Sequence, residues 1–257
     1  MIIDTHCHIW SYDKTPYYND LPVYEYIKAN KIDKISLICM NDAENQRMRQ
    51  LVKNEPNIFF GVAYVNFQRM DESLQKLRDW VCEGTVKAVK IYPYFEHFRV
   101  DDPQLYKFYE TTVELSLPVI PHLGWVYMDT DASCGHSGKY KYTGFPEQYG
   151  TVMENFPNLK LVVTHLGGNY YYEFLTMAER FPSIVMETAW LPDYCMRQFP
   201  PKDMFGWIEH AISFLGSERI IYGGEGVFPK DIERLGISDT AKENILGKNA
   251  VKYFNIT

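Results

Sequence analysis

The sequence predicts an α/β chain folded as a distorted (β/α)8 barrel of the TIM type. Short apolar runs alternate with segments patterned for helix, which is the signature of a mostly parallel sheet covered by helices. Eight such units fit into 257 residues, the size of one closed barrel. No phosphate-cradling glycine fingerprint follows the first strand, which counts against a doubly wound open sheet.

The elements follow in order. An apolar run over 2–5 opens the chain, and a helical pattern spans 21–31. Strand and helix then alternate as 35–40 and 43–54, 59–65 and 71–83, 86–91 and 103–115. The second half repeats the pattern as 118–121 and 145–156, 159–164 and 171–181, 184–188 and 203–215. The last strand is 219–222, and a helix over 238–254 closes the chain. No composition break divides it, so residues 1–257 read as a single domain. The longest irregular stretch, 124–144, carries Trp125, Tyr127, Tyr140 and Tyr142, which favours a cover over a pocket rather than disorder.

Bulk properties narrow the function. A formal charge of -7 without a basic block argues against nucleic acid or an anionic membrane as partner. No run approaches a membrane span, and the opening MIID does not read as a secretory signal. Five widely spaced cysteines, Cys7, Cys39, Cys82, Cys134 and Cys195, read as free thiols of a cytoplasmic protein. The partners this leaves are a small-molecule substrate and, at most, a second copy of the chain in a homodimer.

Chemistry-bearing residues gather where the predicted strands stop. In DTHCH, alternation puts Asp4, His6 and His8 on one face and Thr5 and Cys7 on the other. Asn66 follows the third strand, Lys90 and Tyr92 end the fourth, and His122 ends the fifth in PVIPHLG. His165 ends the sixth in LKLVVTHLGG, Glu187 the seventh in IVMETAW, and Glu225 follows the eighth in RIIYGGEG. In a closed barrel these positions meet at the carboxyl-terminal mouth, where barrel enzymes carry their sites.

Convergent neutral imidazoles suit a zinc-like ion, which takes about three protein ligands and keeps a position open. His6 and His8 would hold the ion, and His122 or His165 would complete the shell. Asp4 would orient a ligand histidine or hydrogen-bond barrel groups beneath the ion. Glu225 would move a proton or supply an oxygen ligand. Lys90, Tyr92, Trp10, Trp125, His136 and Glu187 are expected substrate contacts, with Arg99 and Lys139 as further cations for an anionic substrate. His97 reads as a loop residue, and His210 as a structural residue inside WIEHAISFL. No CxxC pair and no GxSxG elbow supplies a rival site.

Taken together, DTHCH, PVIPHLG, LKLVVTHLGG, RIIYGGEG and the terminal KENILGKNAVKYF resemble the amidohydrolase-2 branch of the amidohydrolase superfamily over essentially the whole chain. That branch includes aminocarboxymuconate-semialdehyde and resorcylate decarboxylases as well as lactone and amide hydrolases. The resemblance implies a distorted barrel with one divalent ion, zinc first and manganese second. It implies His6, His8 and His122 as ligands and His165 as the histidine that polarises or positions water or substrate. The departure is Glu225, where the family pattern has an aspartate.

The first expectation is hydrolysis of a small ester, lactone or amide by metal-bound water. Two alternatives stand beside it. One is non-oxidative decarboxylation of a small aromatic or unsaturated acid, and the other is a barrel that binds a metal or metabolite without turnover, because Glu225 replaces the aspartate.

Overall fold

The computed structural model describes residues 1–9, 22–123, 140–198, 200 and 202–256. Eight strands follow one another around a single sheet in chain order. They are β1 (Ile3–Asp4), β2 (Lys34–Ile38), β3 (Phe59–Tyr64), β4 (Val86–Ile91), β5 (Val119–Pro121), β6 (Leu161–Val163), β7 (Ile184–Glu187) and β8 (Ile220–Ile221). Each pairs in parallel with the next. Between β8 and β1 no ladder forms among the described residues. Thr5 bridges that seam, its N–H and its hydroxyl both donating to the Tyr222 carbonyl at 3.2 and 2.8 Å. With these bonds in place of a ladder, the (β/α)8 barrel is a distorted one.

The expected strands appear in the expected order, several of them shorter. The run over 159–164 is a strand only from Leu161 to Val163, and beyond its far end His165 and Leu166 turn left-handed, with φ of 59° and 48°, and leave the sheet. Helices Val23–Asn30, Asp42–Asn54, Met70–Cys82, Tyr106–Glu114, Pro146–Asn155, Tyr171–Arg180 and Met204–Leu215 cover the outside, close to where helical patterning placed them. The helix expected over 238–254 is built of Asp239–Glu243, a π turn at Asn244–Lys248, and Asn249–Phe254. Three short helices, Pro93–Glu96, Leu191–Met196 and Pro229–Glu233, follow β4, β7 and β8. A single turn is too short for a 3.6-residue period to reveal.

The barrel interior is layered. Ile3, Phe60, Val62, Ala88, Ile120, Val162, Val185 and Ile221 form one apolar cluster with Ala250, Phe254 and Ile256, so the last helix packs onto the inward side chains of the strands. A side chain like Phe254, 1% exposed, contributes about 1.5–3 kcal/mol by leaving water. Two residues further along β4, β5 and β7, the period of 2 brings Lys90, His122 and Glu187 to the same inward side. The apolar plug therefore gives way to titratable groups toward the carboxyl ends of the strands.

Candidate metal centre

His6 and His8 lie beyond β1 with their ring centroids 5.5 Å apart, while Cys7 packs into the outer core. Among the described residues, ligand atoms of His6, His8 and Glu225 lie within 4.8 Å of one another. Nε2 of His6 is 3.2 Å from Glu225 Oε2, and Nε2 of His8 is 4.0 Å from Glu225 Oε1. On its other side His6 Nδ1 donates to Glu187 Oε1 at 2.7 Å. That bond fixes the tautomer, since a proton on Nδ1 leaves the Nε2 lone pair aimed at the triad.

Glu187, expected as a substrate contact, thus stands against His6 in the place considered for Asp4. Asp4 does the other thing expected of it and ties barrel groups together. Its Oδ1 accepts from the backbone N–H of His6 and of Gly224 at 2.9 and 2.8 Å, and its Oδ2 accepts from Tyr26 at 3.0 Å.

The other two imidazoles extend the cluster. His165 lies 5.5 Å from His6 and 5.6 Å from His122 between ring centroids. Its Nδ1 donates to the Ala189 carbonyl at 2.8 Å, so its Nε2 also carries a lone pair. Simple alternation along β6 would turn His165 away from the inward Val162; the left-handed backbone at His165 brings it back. His122 stands outside the close triad and reaches it through His165. Its Nε2 is buried and has no hydrogen-bond partner among the described residues.

Burial holds all four imidazoles neutral. His6, His8 and His122 are pushed well below the usual histidine range, first by loss of water and then by neighbouring positive charge that includes Lys90. His165 is lowered to about 3 by burial and then His6. Neutral imidazole is the form that ligates a metal. Burial likewise raises the Glu187 carboxyl. Two neutral imidazoles, a carboxylate and an orphaned third imidazole make a donor set that fits one divalent ion, zinc or manganese alike.

Lys90 is fully buried, and among the described residues its Nζ has no hydrogen-bond partner. Loss of water lowers it to about 8, while Glu187 and Glu225 pull it the other way. Its Nζ sits 5.7 Å from the Tyr92 ring centroid. The Tyr92 hydroxyl donates to the Cys39 carbonyl, so Tyr92 offers the site a ring and not a free hydroxyl. That ring is 6.4 Å from His8 and 6.5 Å from Phe95, which in turn is 6.1 Å from His122. Tyr92 and Phe95 form an aromatic wall between two histidines. Phe95 went unnoticed in the sequence because it sits on the single helical turn after β4.

Other expected residues fall elsewhere. Arg99 pairs with Asp101 at the surface, Asn66 caps the turn at Phe67–Arg69, and His210 bonds the Tyr171 hydroxyl inside its helix. His97 stacks on Tyr142. Trp10, Trp125, Tyr127, His136 and Lys139 lie outside the described residues.

The strand-eight glycines have a steric reason. A Cβ on Gly223 would overlap Glu187 Oε1, and one on Gly224 would overlap Asp4 Oδ2. Glu225 follows with φ of 50°, a left-handed backbone that non-glycine residues hold at a cost of about 1–3 kcal/mol and that clusters at functional sites.

Residues 3–256 match the protein family described as Amidohydrolase. The chain is 25% identical over 243 residues to 2-amino-3-carboxymuconate-6-semialdehyde decarboxylase of Dictyostelium discoideum, an alignment that takes in 82% of this chain and 65% of that relative's length. In fold it resembles 5-carboxyvanillate decarboxylase from Sphingomonas paucimobilis, with a TM-score of 0.71 and 16% identity across 100% of this chain and 99% of that one. It also resembles a dihydroxybenzoic acid decarboxylase from Polaromonas sp. solved with bound manganese and the inhibitor 2-nitroresorcinol, with a TM-score of 0.70 and 14% identity across 99% and 96% of the two chains.

Proposed function

The chain belongs to the amidohydrolase family, and from that premise we propose that it is a metal-dependent decarboxylase of a small aromatic or unsaturated carboxylic acid. The observation that carries this reading is the Lys90 ammonium, buried and, among the described residues, without a hydrogen-bond partner beside the His6, His8 and Glu225 triad. Glu187 and Glu225 attract this buried cation without hydrogen-bonding it, and a substrate carboxylate would supply the bonded anion. The decarboxylases among its relatives favour this alternative over the ester, lactone or amide hydrolysis that the sequence suggested first.

His6, His8 and Glu225 would hold one divalent ion, with His122 as a further imidazole ligand. When bound, the ion acts as a Lewis acid toward substrate oxygens. Lys90 pairs with the carboxylate that will leave. Tyr92 and Phe95 flank a planar ring. His165, neutral and with Nδ1 committed to Ala189, accepts a hydrogen bond at Nε2 from a substrate hydroxyl. The carbon–carbon bond to the carboxylate breaks, carbon dioxide leaves, and the carbon takes up a proton. Glu225, at the mouth beside both first-strand histidines, is the group that carries that proton.

The test loads the protein with manganese or zinc and follows carbon dioxide release from a panel of hydroxybenzoates and unsaturated acids, beside a panel of lactones and esters. Release of carbon dioxide that requires the ion and falls in Lys90→Met is expected. Turnover of lactones or esters without carbon dioxide release would restore the hydrolase reading. Stoichiometric metal binding with no turnover on either panel would point to the non-catalytic barrel.

A further inference from the structure

A buried chain of polar groups runs from β1 to the loop that carries Glu225. The Tyr26 hydroxyl lies 3.0 Å from Asp4 Oδ2 and 3.1 Å from the Tyr222 hydroxyl, and the Tyr222 hydroxyl lies 3.0 Å from the Val227 carbonyl; the three contacts share the two phenol protons and, when Asp4 is protonated, its own. Asp4, Tyr26 and Tyr222 are each 0% exposed. The loop itself is pinned at three further points. Gly224 N–H donates to Asp4 Oδ1 at 2.8 Å, Val227 N–H to the Gly224 carbonyl at 3.3 Å, and Trp190 N–H to the Glu225 carbonyl at 2.8 Å.

Taking His6, His8 and Glu225 as the ion's ligands, as in the reading above, we infer that this Asp4, Tyr26, Tyr222 and Val227 chain is a staple that presets the reach of Glu225, and that it is set for glutamate rather than aspartate. The backbone at Gly223 and Gly224 is pressed onto Glu187 and Asp4 so closely that neither position has room for a Cβ. From there Glu225 starts in a left-handed turn and still brings its two oxygens to 3.2 and 4.0 Å from the facing imidazole nitrogens. The extra methylene spans the distance that a backbone drawn back onto Asp4 leaves open. Tyr26 and Tyr222 are positioning residues, held against Asp4 and the Val227 carbonyl, and they act through the loop.

The experiment is a manganese titration followed by the paramagnetic signal of the free ion, made on the full chain and its variants. Tyr222→Phe and Tyr26→Phe keep the ring and remove one hydroxyl each. Each is expected to weaken manganese binding about tenfold, as loss of an outer partner of a ligand does. In a Glu225→Ala background the same changes are expected to leave the affinity unaltered, and Glu225→Asp is expected to bind about tenfold more weakly than the parent. Equal losses in both backgrounds, no loss in either, or an aspartate variant that binds as tightly as the parent overturns the staple. If Tyr222→Phe does not fold, the Tyr26→Phe cycle decides by the same outcomes. A parent chain that binds no manganese removes the metal centre and the staple together, whereas failure to decarboxylate does not enter this measurement.

Discussion

His6 Nδ1 and Glu187 Oε1 stand 2.7 Å apart, and each side chain is 1% exposed. A buried pair with that geometry selects the tautomer of the imidazole, which on the proposed function is that of a metal ligand. Replacing Glu187 by Ala therefore releases the His6 ring and should weaken binding of a divalent ion about 10–100-fold. Gln, which retains an acceptor oxygen, should lose less. Calorimetric metal titration of both variants checks the order.

If Lys90 pairs with a substrate carboxylate, as the proposed function has it, its replacement separates substrate binding from folding. Met keeps the unbranched stem and drops the charge, so the metal-loaded Lys90→Met variant should melt no lower than the parent. Its KM for an acid substrate should rise about 10–100-fold, the worth of a hydrogen bond to a charged group. Melting curves and initial rates on the same preparation test both halves.

Gly223 has no room for a methyl group, because its place is taken by Glu187. Gly223→Ala should cost about 1–3 kcal/mol in urea unfolding, the usual price of overpacking a tight site. It should also weaken metal binding, since the displaced carboxylate is the partner of His6. An unchanged unfolding midpoint would refute the close approach.

Glu96 gives a pH dependence away from the ligands. Burial raises its carboxyl from 4.5 to about 7, against the stabilising hydrogen bonds from Tyr64 and the Tyr92 backbone. Below about 4.5 the folded and unfolded states both hold the proton. As pH climbs toward about 7 the unfolded chain ionises first, so stability is lost across that window and stays low above it. Glu96→Gln, always neutral, should raise the melting temperature at pH 8 and change it little near pH 4.5. Equal shifts at both values would show that the carboxyl is not held neutral.

Much of this protein was legible in the chain itself. Alternating apolar runs and helical patterns located eight strands in order, because a barrel strand buried on both faces needs a run of apolar residues whatever its neighbours are. The same logic put His6, His8, His122, His165 and Glu225 at strand ends, and a parallel barrel gathers strand ends at one mouth. Tertiary structure alone decided how these side chains are used. Glu187 reaches His6 across 181 positions of sequence, and Asp4 reaches Gly224 across 220, separations over which no local pattern carries information. Nor does periodicity foresee the left-handed turns at His165 and Glu225, which aim one imidazole and one carboxylate inward, because a period describes regular backbone and these two residues sit where it ends.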